Sequence, residues 1–194
     1  QLNETLAKIN SIELDLPNLL SEEVPDGVDE QDNLIVSTYG TPKKFDFKPL
    51  SHDQIGQKIG QMDFDIASKT SGARFVFLKN QLALLERAIS NFMLDIHTQE
   101  FGYHEISPPL IVKESTMFGT GQLPKFEEDL FSIPISDEQS FYLIPTAEVP
   151  VTNLYRGEIL TAEQLPAKFV CHTPCFRSEA GSYGRDTRGM IRQH

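Results

Sequence analysis

The chain has 194 residues, and 39% of them are hydrophobic, which suffices for the core of one domain with an appendage. No apolar run approaches the roughly 18 residues that cross a bilayer, and residues 1–16 lack the basic and apolar regions of a secretory signal peptide. Two cysteines cannot build a disulfide framework and fit a reducing cytoplasm, and a formal charge of -11 argues against a surface generally adapted to nucleic acid.

The amino-terminal part of the sequence predicts a helix followed by a loop. The apolar positions of this helix fall on roughly one stripe, formed by Leu2, Leu6, Ile9 and Leu14. Pro17 ends the helix. Residues 16–33 are acidic and contain proline and glycine, which indicates a linker or a surface loop. Residues 34–39 are apolar and β-branched and are predicted to form a strand.

The middle of the sequence predicts two helices separated by a strand. Ser51 and Gln54 form an S-x-x-Q capping box, which places a helix start at Ser51. Residues 74–78 are predicted to form a strand. Asn80 is the expected N-cap of a long helix that ends before Gly102. Apolar side chains at spacings of three and four indicate this helix: Leu82, Leu85, Ile89, Phe92, Met93 and Ile96.

The remaining residues predict mainly strands. The expected elements are an extended segment at 104–112, antiparallel strands at 129–133 and 141–144, a short helix at 146–154, a strand at 168–179 and a further strand from Gly189. The pattern lacks the regular alternation of a doubly wound sheet, so it favours an α+β fold with a mainly antiparallel sheet flanked by helices. Because the sequence stops inside the last predicted strand, we expect the sheet to be incomplete at its C-terminal end.

The first candidate site is the segment 176–189, predicted as a strand, a glycine-rich loop and a returning strand. On a strand, Arg177 and Glu179 would share a face. An arginine fork fits a phosphate or a carboxylate, and a glutamate accepts hydrogen bonds from an amino group. Residues 168–194 hold five bases against two acids, which suits an anion: Lys168, Arg177, Arg185, Arg188 and Arg192 against Glu179 and Asp186. From the chemistry alone, however, a surface hairpin with an exposed Arg–Glu pair is the preferred interpretation.

The second candidate site is the tripeptide Thr146-Ala147-Glu148. Thr146 can cap a helix, and Glu148 suits the first turn beside the helix dipole. The same side chains, presented at the end of a strand, could hold the ammonium and hydroxyl groups of a small amino acid. Both interpretations stay open from the residues alone.

A metal site is not predicted. Cys171, His172 and Cys175 resemble a zinc half-site, but a closed zinc site requires four ligands and the sequence offers no second close pair. Structural thiols are the preferred interpretation. The segment 101–110, with Pro108 and Pro109, is either plain core or the edge of a dimer.

Taken together, these segments closely resemble the seryl-tRNA synthetases of bacterial type, which are class II aminoacyl-tRNA synthetases. The long helix with Ser107-Pro108-Pro109 resembles class II motif 1, and residues 176–192 resemble motif 2. Three stretches are specific to the seryl branch: residues 177–189, the tripeptide Thr146-Ala147-Glu148, and Thr120-Gly121-Gln122-Leu123-Pro124-Lys125. The resemblance runs from about Leu16 to His194.

The resemblance implies a role for each site residue. Arg177 is the expected catalytic residue, gripping the α-phosphate of ATP and the serine carboxylate. The other implied contacts are Ser178, Glu179 and Gln193 for ATP, Thr146, Ala147 and Glu148 for serine, and Arg185 and Arg188 for ATP or the acceptor end of tRNA.

The resemblance also implies a domain organisation. Residues 1–15 correspond to the end of a helical tRNA-binding arm. Residues 16–194 correspond to the N-terminal part of the catalytic domain, with motif 3 and a serine-reading glutamate lying beyond His194. We therefore expect the 194-residue chain to be inactive by itself.

The implied activity is ATP-dependent activation of serine and its transfer to tRNA(Ser), with tRNA(Sec) an open further partner. Magnesium, a homodimer and a cytoplasmic location without membrane contact follow from the same resemblance. Two alternatives stay open: an amino acid:carrier protein ligase and a non-catalytic regulatory module that binds ATP or an amino acid.

Overall fold

A computed structural model describes residues 1–136, 139–180 and 187–194. Within these ranges the chain divides into two compact units, Gln1–Pro49 and Leu50–His194. None of the helices in the described residues is both long enough and apolar enough to pass through a bilayer.

The first unit is built on one helix, α1 (Leu2–Asp15), which confirms the helix predicted from the apolar stripe. A single 3-10 turn follows at Glu30–Asp32. The strand predicted at 34–39 is wrong, because these residues have no strand partner and every residue of the unit is exposed. The β-propensity of such residues is expressed only where a neighbouring strand lets them pack.

The second unit holds the other helices and the strands of the described chain. In chain order they are α2 (His52–Lys58), β1 (Met62–Asp63), α3 (Phe64–Thr70), β2 (Phe77–Leu78), α4 (Asn80–Gln99), β3 (His104–Glu105), β4 (Ile111–Lys113), α5 (Glu114–Gly119), β5 (Ser132–Ser136), β6 (Gln139–Leu143), α6 (Glu148–Thr152) and β7 (Phe169–Val170).

The two predicted helix starts in this unit have different outcomes. The capping box at α2 is confirmed, because the Ser51 N–H donates to Gln54 Oε1 at 3.1 Å. The N-cap prediction for α4 is wrong by one residue. Lys79 has the extended backbone of a cap, whereas Asn80 already lies within the helix.

The sheets confirm an α+β fold with mainly antiparallel pairing. β4, β6 and β5 form an antiparallel sheet in that order, β1 pairs antiparallel with β2, and β3 pairs parallel with β7. The predicted pairing of strands near 129–133 and 141–144 is therefore confirmed as β5 and β6, with shifted bounds.

The strand predicted at 168–179 is wrong beyond β7, and no strand starts at Gly189. Only Phe169 and Val170 find a ladder partner, which is β3. Phe176 and Ser178 make single hydrogen bonds to different segments, so they lack the repeated pairing that defines a strand.

The core lies where α5, α6 and the β4–β6–β5 sheet meet. Its buried side chains are Val112, Met117, Leu123, Leu130, Tyr142, Ile144 and Val149. Ile144, which is fully buried, accepts a hydrogen bond through its carbonyl from the Phe176 N–H at 2.8 Å. The core thus fixes the start of the segment that carries Arg177.

Candidate active site

Arg177 lines a cavity of about 310 Å³ together with Gln122, Asp129, Pro145 and two neighbouring apolar residues. Its Nε donates to the Pro145 carbonyl at 3.1 Å. The guanidinium carries five N–H donors, and no residue in the described ranges engages its terminal nitrogens. The exposed side chain therefore presents donors to a ligand in this cavity.

The tripeptide Thr146-Ala147-Glu148 follows directly on Pro145, so it begins at the wall of the Arg177 cavity. Thr146 and Ala147 are partly buried, and Glu148 is exposed in the first turn of α6. The N-cap of α6 is Ala147, with no side-chain capping bond. The interpretation of Thr146 as a helix cap is therefore wrong, and its hydroxyl is not used in capping α6.

Glu179 lies at a second cavity of about 550 Å³, lined also by Arg74, Phe75, Thr187 and His194. It has a left-handed backbone, with φ 53. A side chain at i and one at i+2 share a face only on an extended strand, so this conformation separates Glu179 from Arg177. The predicted shared face is wrong, and each residue lines its own cavity.

The Glu179 carboxylate is held by a strong ion pair. Oε2 accepts from Arg192 Nη1 at 2.7 Å, and the Glu179 side chain is only 15% exposed. The Glu179 carbonyl accepts from Arg74 Nη1 at 3.2 Å. His194 also lines this cavity: its ring lies 5.4 Å from that of Phe75, and its backbone N–H donates to the Arg74 carbonyl at 3.3 Å.

Ser178 also lines the Glu179 cavity, but its hydroxyl and its backbone N–H are both hydrogen-bonded to the protein. Its hydroxyl donates to the Glu128 carbonyl at 2.7 Å, and its N–H donates to the Asp129 carbonyl at 3.0 Å. Asp129 Oδ1 also accepts from the Ala180 N–H at 3.0 Å. Glu128 and Asp129 therefore hold the turn at Glu179 in place.

Two of the remaining predicted residues, Arg188 and Gln193, lie on the segment 187–194. Arg188 Nε donates to Asp53 Oδ2 at 2.9 Å, which ties this segment to the first turn of α2. Gln193 Nε2 donates to the Gly189 carbonyl at 2.8 Å. Arg185 lies outside the described residues.

Sequence reasoning missed several residues that the fold brings to these cavities. Asp129 and Arg74 gave no local signal, because each reaches the site from a distant part of the sequence. Arg192 was counted with the basic residues, but its pairing with Glu179 could not be read from spacing. No group of three or more His, Cys, Asp or Glu side chains within the described ranges could hold a metal ion.

A family model and curated proteins match this chain. Residues 127–194 match the family model of the tRNA synthetase class II core domain (G, H, P, S and T). The chain is 57% identical over 194 residues to a serine–tRNA ligase from Dechloromonas aromatica (strain RCB), covering all of this chain and 45% of that protein. It is 58% identical over the same length to a serine–tRNA ligase from Thiobacillus denitrificans (strain ATCC 25259 / T1), with the same coverage.

The chain is also similar to solved structures of seryl-tRNA synthetases. Seryl-tRNA synthetase from Pyrococcus horikoshii, complexed with ATP, superposes with a TM-score of 0.90 at 32% identity, over 99% of this chain and 46% of that one. The cytoplasmic enzyme from Naegleria fowleri, in complex with AMP, gives a TM-score of 0.88 at 27% identity, over 99% of this chain and 45% of that one.

Residues 127–194 thus match a class II tRNA synthetase core, and the fold is similar to that of two solved seryl-tRNA synthetases. Over the length that it spans, the chain is similar to serine–tRNA ligases. It spans just under half the length of the curated relatives that it matches.

The Asp53–Arg188 pair gives a prediction for acid stability. Interaction with the Ser51 hydroxyl, and then with Arg188, lowers the pKa of Asp53 from its ordinary 3.8 to about 2. A carboxylate with a lowered pKa stabilises the fold above its ordinary pKa, and this contribution is lost as the pH falls through the lowered value. We therefore expect the stability advantage of wild type over Asp53→Asn to be constant above about pH 5 and to shrink below about pH 4.

Urea unfolding of both proteins between pH 6 and pH 3 measures this difference. A difference that stays constant down to pH 3 would contradict an ionised Asp53 as the stabilising form.

Proposed function

We propose that the protein to which this chain belongs is a serine–tRNA ligase, which activates serine with ATP and transfers it to tRNA(Ser). The observation that supports this most is the Arg177 cavity. Gln122, Pro145 and Arg177 come from the three stretches specific to the seryl branch or border them, and they line one cavity although they are far apart in the sequence. Because the chain spans 45% of its relatives, the activity is assigned to the full-length protein.

The proposed reaction has two steps. An oxygen of the serine carboxylate attacks the α-phosphorus of ATP, the bond to the β-phosphate oxygen breaks, and pyrophosphate leaves. The terminal ribose hydroxyl of tRNA then attacks the carbonyl of seryl-adenylate, and AMP leaves. Neither step requires a protein nucleophile, so positioning and cationic stabilisation of the phosphate charge supply the catalysis.

Arg177 is the proposed catalytic residue. A planar guanidinium with uncommitted terminal nitrogens can bind the serine carboxylate and the α-phosphate together, which aligns the attacking oxygen and stabilises the developing charge. Its bond to Pro145 fixes the side chain against the protein. An arginine anchored through Nε loses less freedom when it binds a ligand than a free one does.

Thr146, Ala147 and Glu148 are proposed to line the serine pocket. Thr146 is partly buried, and within the described residues its hydroxyl makes no hydrogen bond, so we assign it to a substrate group. The carboxylate of Glu148 suits the serine ammonium. A pocket that hydrogen-bonds the serine hydroxyl rejects alanine, because the polar groups of the pocket would otherwise stay unpaired.

Ser178, Glu179 and Gln193 are proposed to form the ATP side of the site. Ser178 serves it through the backbone, since its hydroxyl is bonded to Glu128. Glu179 is suited to an amino group of the base once a ligand competes with Arg192. Arg185 is proposed to contact ATP or the acceptor end of tRNA.

Magnesium is proposed as the counter-ion that arrives with the phosphates of ATP. The carboxylates and imidazoles of the described residues form no cluster of three that suits a metal. We therefore assign magnesium no protein ligand among the described residues. Bound with ATP, the ion would neutralise phosphate charge.

We assign residues 1–15 to the end of a tRNA-binding arm and residues 16–194 to the catalytic domain, in a cytoplasmic homodimer. Helix α4 supports the dimer, because large apolar side chains on it are exposed: Leu85 by 50%, Phe92 by 63% and Met93 by 57%. We also propose tRNA(Sec) as a partner, which an assay of tRNA charging can test.

Amino-acid-dependent ATP–pyrophosphate exchange by the full-length protein tests the function, with a panel of amino acids and with tRNA(Ser) charging as the second assay. We expect exchange with serine and not with alanine. Exchange with another amino acid would favour a carrier-protein ligase. Absence of exchange with every amino acid would favour a regulatory module.

A further inference from the structure

The first turn of α2 holds the segment that follows the motif 2 loop. Asp53 Oδ2 accepts from Arg188 Nε at 2.9 Å, and the Asp53 side chain is only 11% exposed. His52 Nε2 accepts from the Met190 N–H at 2.8 Å. An enclosed carboxylate needs a cationic or hydrogen-bonding partner, so Asp53 selects a fixed position for Arg188.

Gly189 lets the backbone of residues 188–190 lie close to His52 and Asp53 of α2. Its φ is +62, and a β-carbon at this position would lie 2.4 Å from His52 Nε2 and 2.9 Å from the Asp53 β-carbon. The backbone between Arg188 and Met190 is therefore pressed directly on the two side chains of α2. Two residues of the segment are hydrogen-bonded to α2, Arg188 to Asp53 and Met190 to His52, and Gly189 lies between them against both side chains.

This contact continues to the proposed ATP side of the site. The Gly189 carbonyl accepts from Gln193 Nε2 at 2.8 Å. The neighbouring Arg192 pairs with Glu179 at 2.7 Å. A displacement of 188–190 would thus move the anchor of Gln193 and the backbone that carries Arg192.

We propose that His52 and Asp53 are positioning residues for ATP, and that Arg188 acts through them rather than by touching ATP or tRNA. His52, Asp53 and Arg188 form a clamp that sets the position of Gln193 and of the Arg192–Glu179 pair. The inference rests on the proposed function for its kinetic consequence, but the clamp itself can be measured without it.

A double-mutant cycle in the full-length protein tests the clamp, with Asp53→Asn, Arg188→Gln and the double variant assayed by ATP–pyrophosphate exchange. Each single variant should raise KM for ATP about tenfold, the order expected when one charged hydrogen bond is lost. The double variant should be no worse than either single one, because both remove the same contact. KM for serine should change less than about twofold, since α2 does not line the Arg177 cavity.

Asp63→Asn is the matched control. Asp63 also pairs with a base, Lys79, at 2.5 Å and is partly buried, but within the described residues neither side chain is hydrogen-bonded or ion-paired to the segment 187–194. It should lower stability without changing KM for ATP. Equal stability losses in Asp53→Asn and Asp63→Asn with unchanged ATP KM would overturn the proposal. So would a raised KM in Arg188→Gln alone, which would mean direct contact of Arg188 with the ligand.

Hydrogen exchange of the same proteins supplies a readout that does not depend on activity. The Met190 amide, bonded to His52, should exchange about tenfold faster in His52→Ala and Asp53→Asn than in wild type. If wild type shows no serine-dependent pyrophosphate exchange, the proposed function fails. The hydrogen exchange of the Met190 amide still shows whether the clamp exists. Unchanged protection of Met190 in both variants would overturn it.

Discussion

Replacing Arg177 with alanine is expected to lower serine-dependent pyrophosphate exchange by the full-length protein about 100- to 1,000-fold, the range seen when a preorganised transition-state donor is removed. Within the described residues, the terminal nitrogens of Arg177 make no hydrogen bond, so they are left for a ligand after Nε has bonded Pro145. Because they act on charge that develops in the transition state, kcat should fall more than KM for serine rises. Arg177→Lys should keep the charge but lose the two-pronged geometry, so its rate of pyrophosphate exchange should lie between those of wild type and Arg177→Ala.

Arg156→Ala is a matched control for this change. Arg156 is also exposed and also donates a hydrogen bond to a backbone carbonyl, that of Ser115, but it lies away from both cavities. The rate of pyrophosphate exchange in Arg156→Ala should stay within about twofold of wild type. Exchange in Arg177→Ala that matches that of Arg156→Ala would remove Arg177 from the proposed mechanism.

The second large effect is expected at Gly189. Gly189→Ala should lower the free energy of unfolding by about 2–4 kcal/mol, because it combines left-handed backbone strain with steric overlap. The backbone φ is +62, and the added β-carbon would lie 2.4 Å from the ring of His52. Chemical denaturation of wild type and variant measures the loss.

Gly102→Ala separates the two causes. Gly102 has a similar φ of +67, but a β-carbon there would meet nothing within 4 Å. Gly102→Ala should therefore lower the free energy of unfolding only by the cost of a left-handed backbone at a non-glycine residue, about 1–2 kcal/mol. Equal losses in the two variants would mean that His52 and Asp53 do not press on Gly189 in solution, which would weaken the clamp described above.

Local chemistry explains which elements could be predicted from the sequence. The capping box at Ser51 and the apolar spacing of α4 act within a few residues, so both predictions are confirmed. The strand predicted at 168–179 failed because a strand depends on a partner elsewhere in the chain, and β3 extends for only two residues beside it.

The candidate site divides in the same way. Sequence motifs predicted Arg177 and the tripeptide at 146–148 as site residues. In the fold, Arg177 is hydrogen-bonded to Pro145, the residue before that tripeptide. The separation of Glu179 from Arg177 depends on a single left-handed residue, which no periodicity reveals. Asp53 and Asp129 act on motif 2 from far away in the sequence, so only the tertiary structure brings them into view.

The parallel pair of β3 and β7 has a consequence for the order of folding. His104 pairs with Phe169, and the whole β4–β6–β5 sheet lies between them in the sequence. Closing so long a loop costs entropy that local pairs such as β5–β6 do not incur, so the hairpin should form early and the parallel pair late. Substitutions that weaken only β3–β7 should then speed unfolding while leaving the folding rate nearly unchanged.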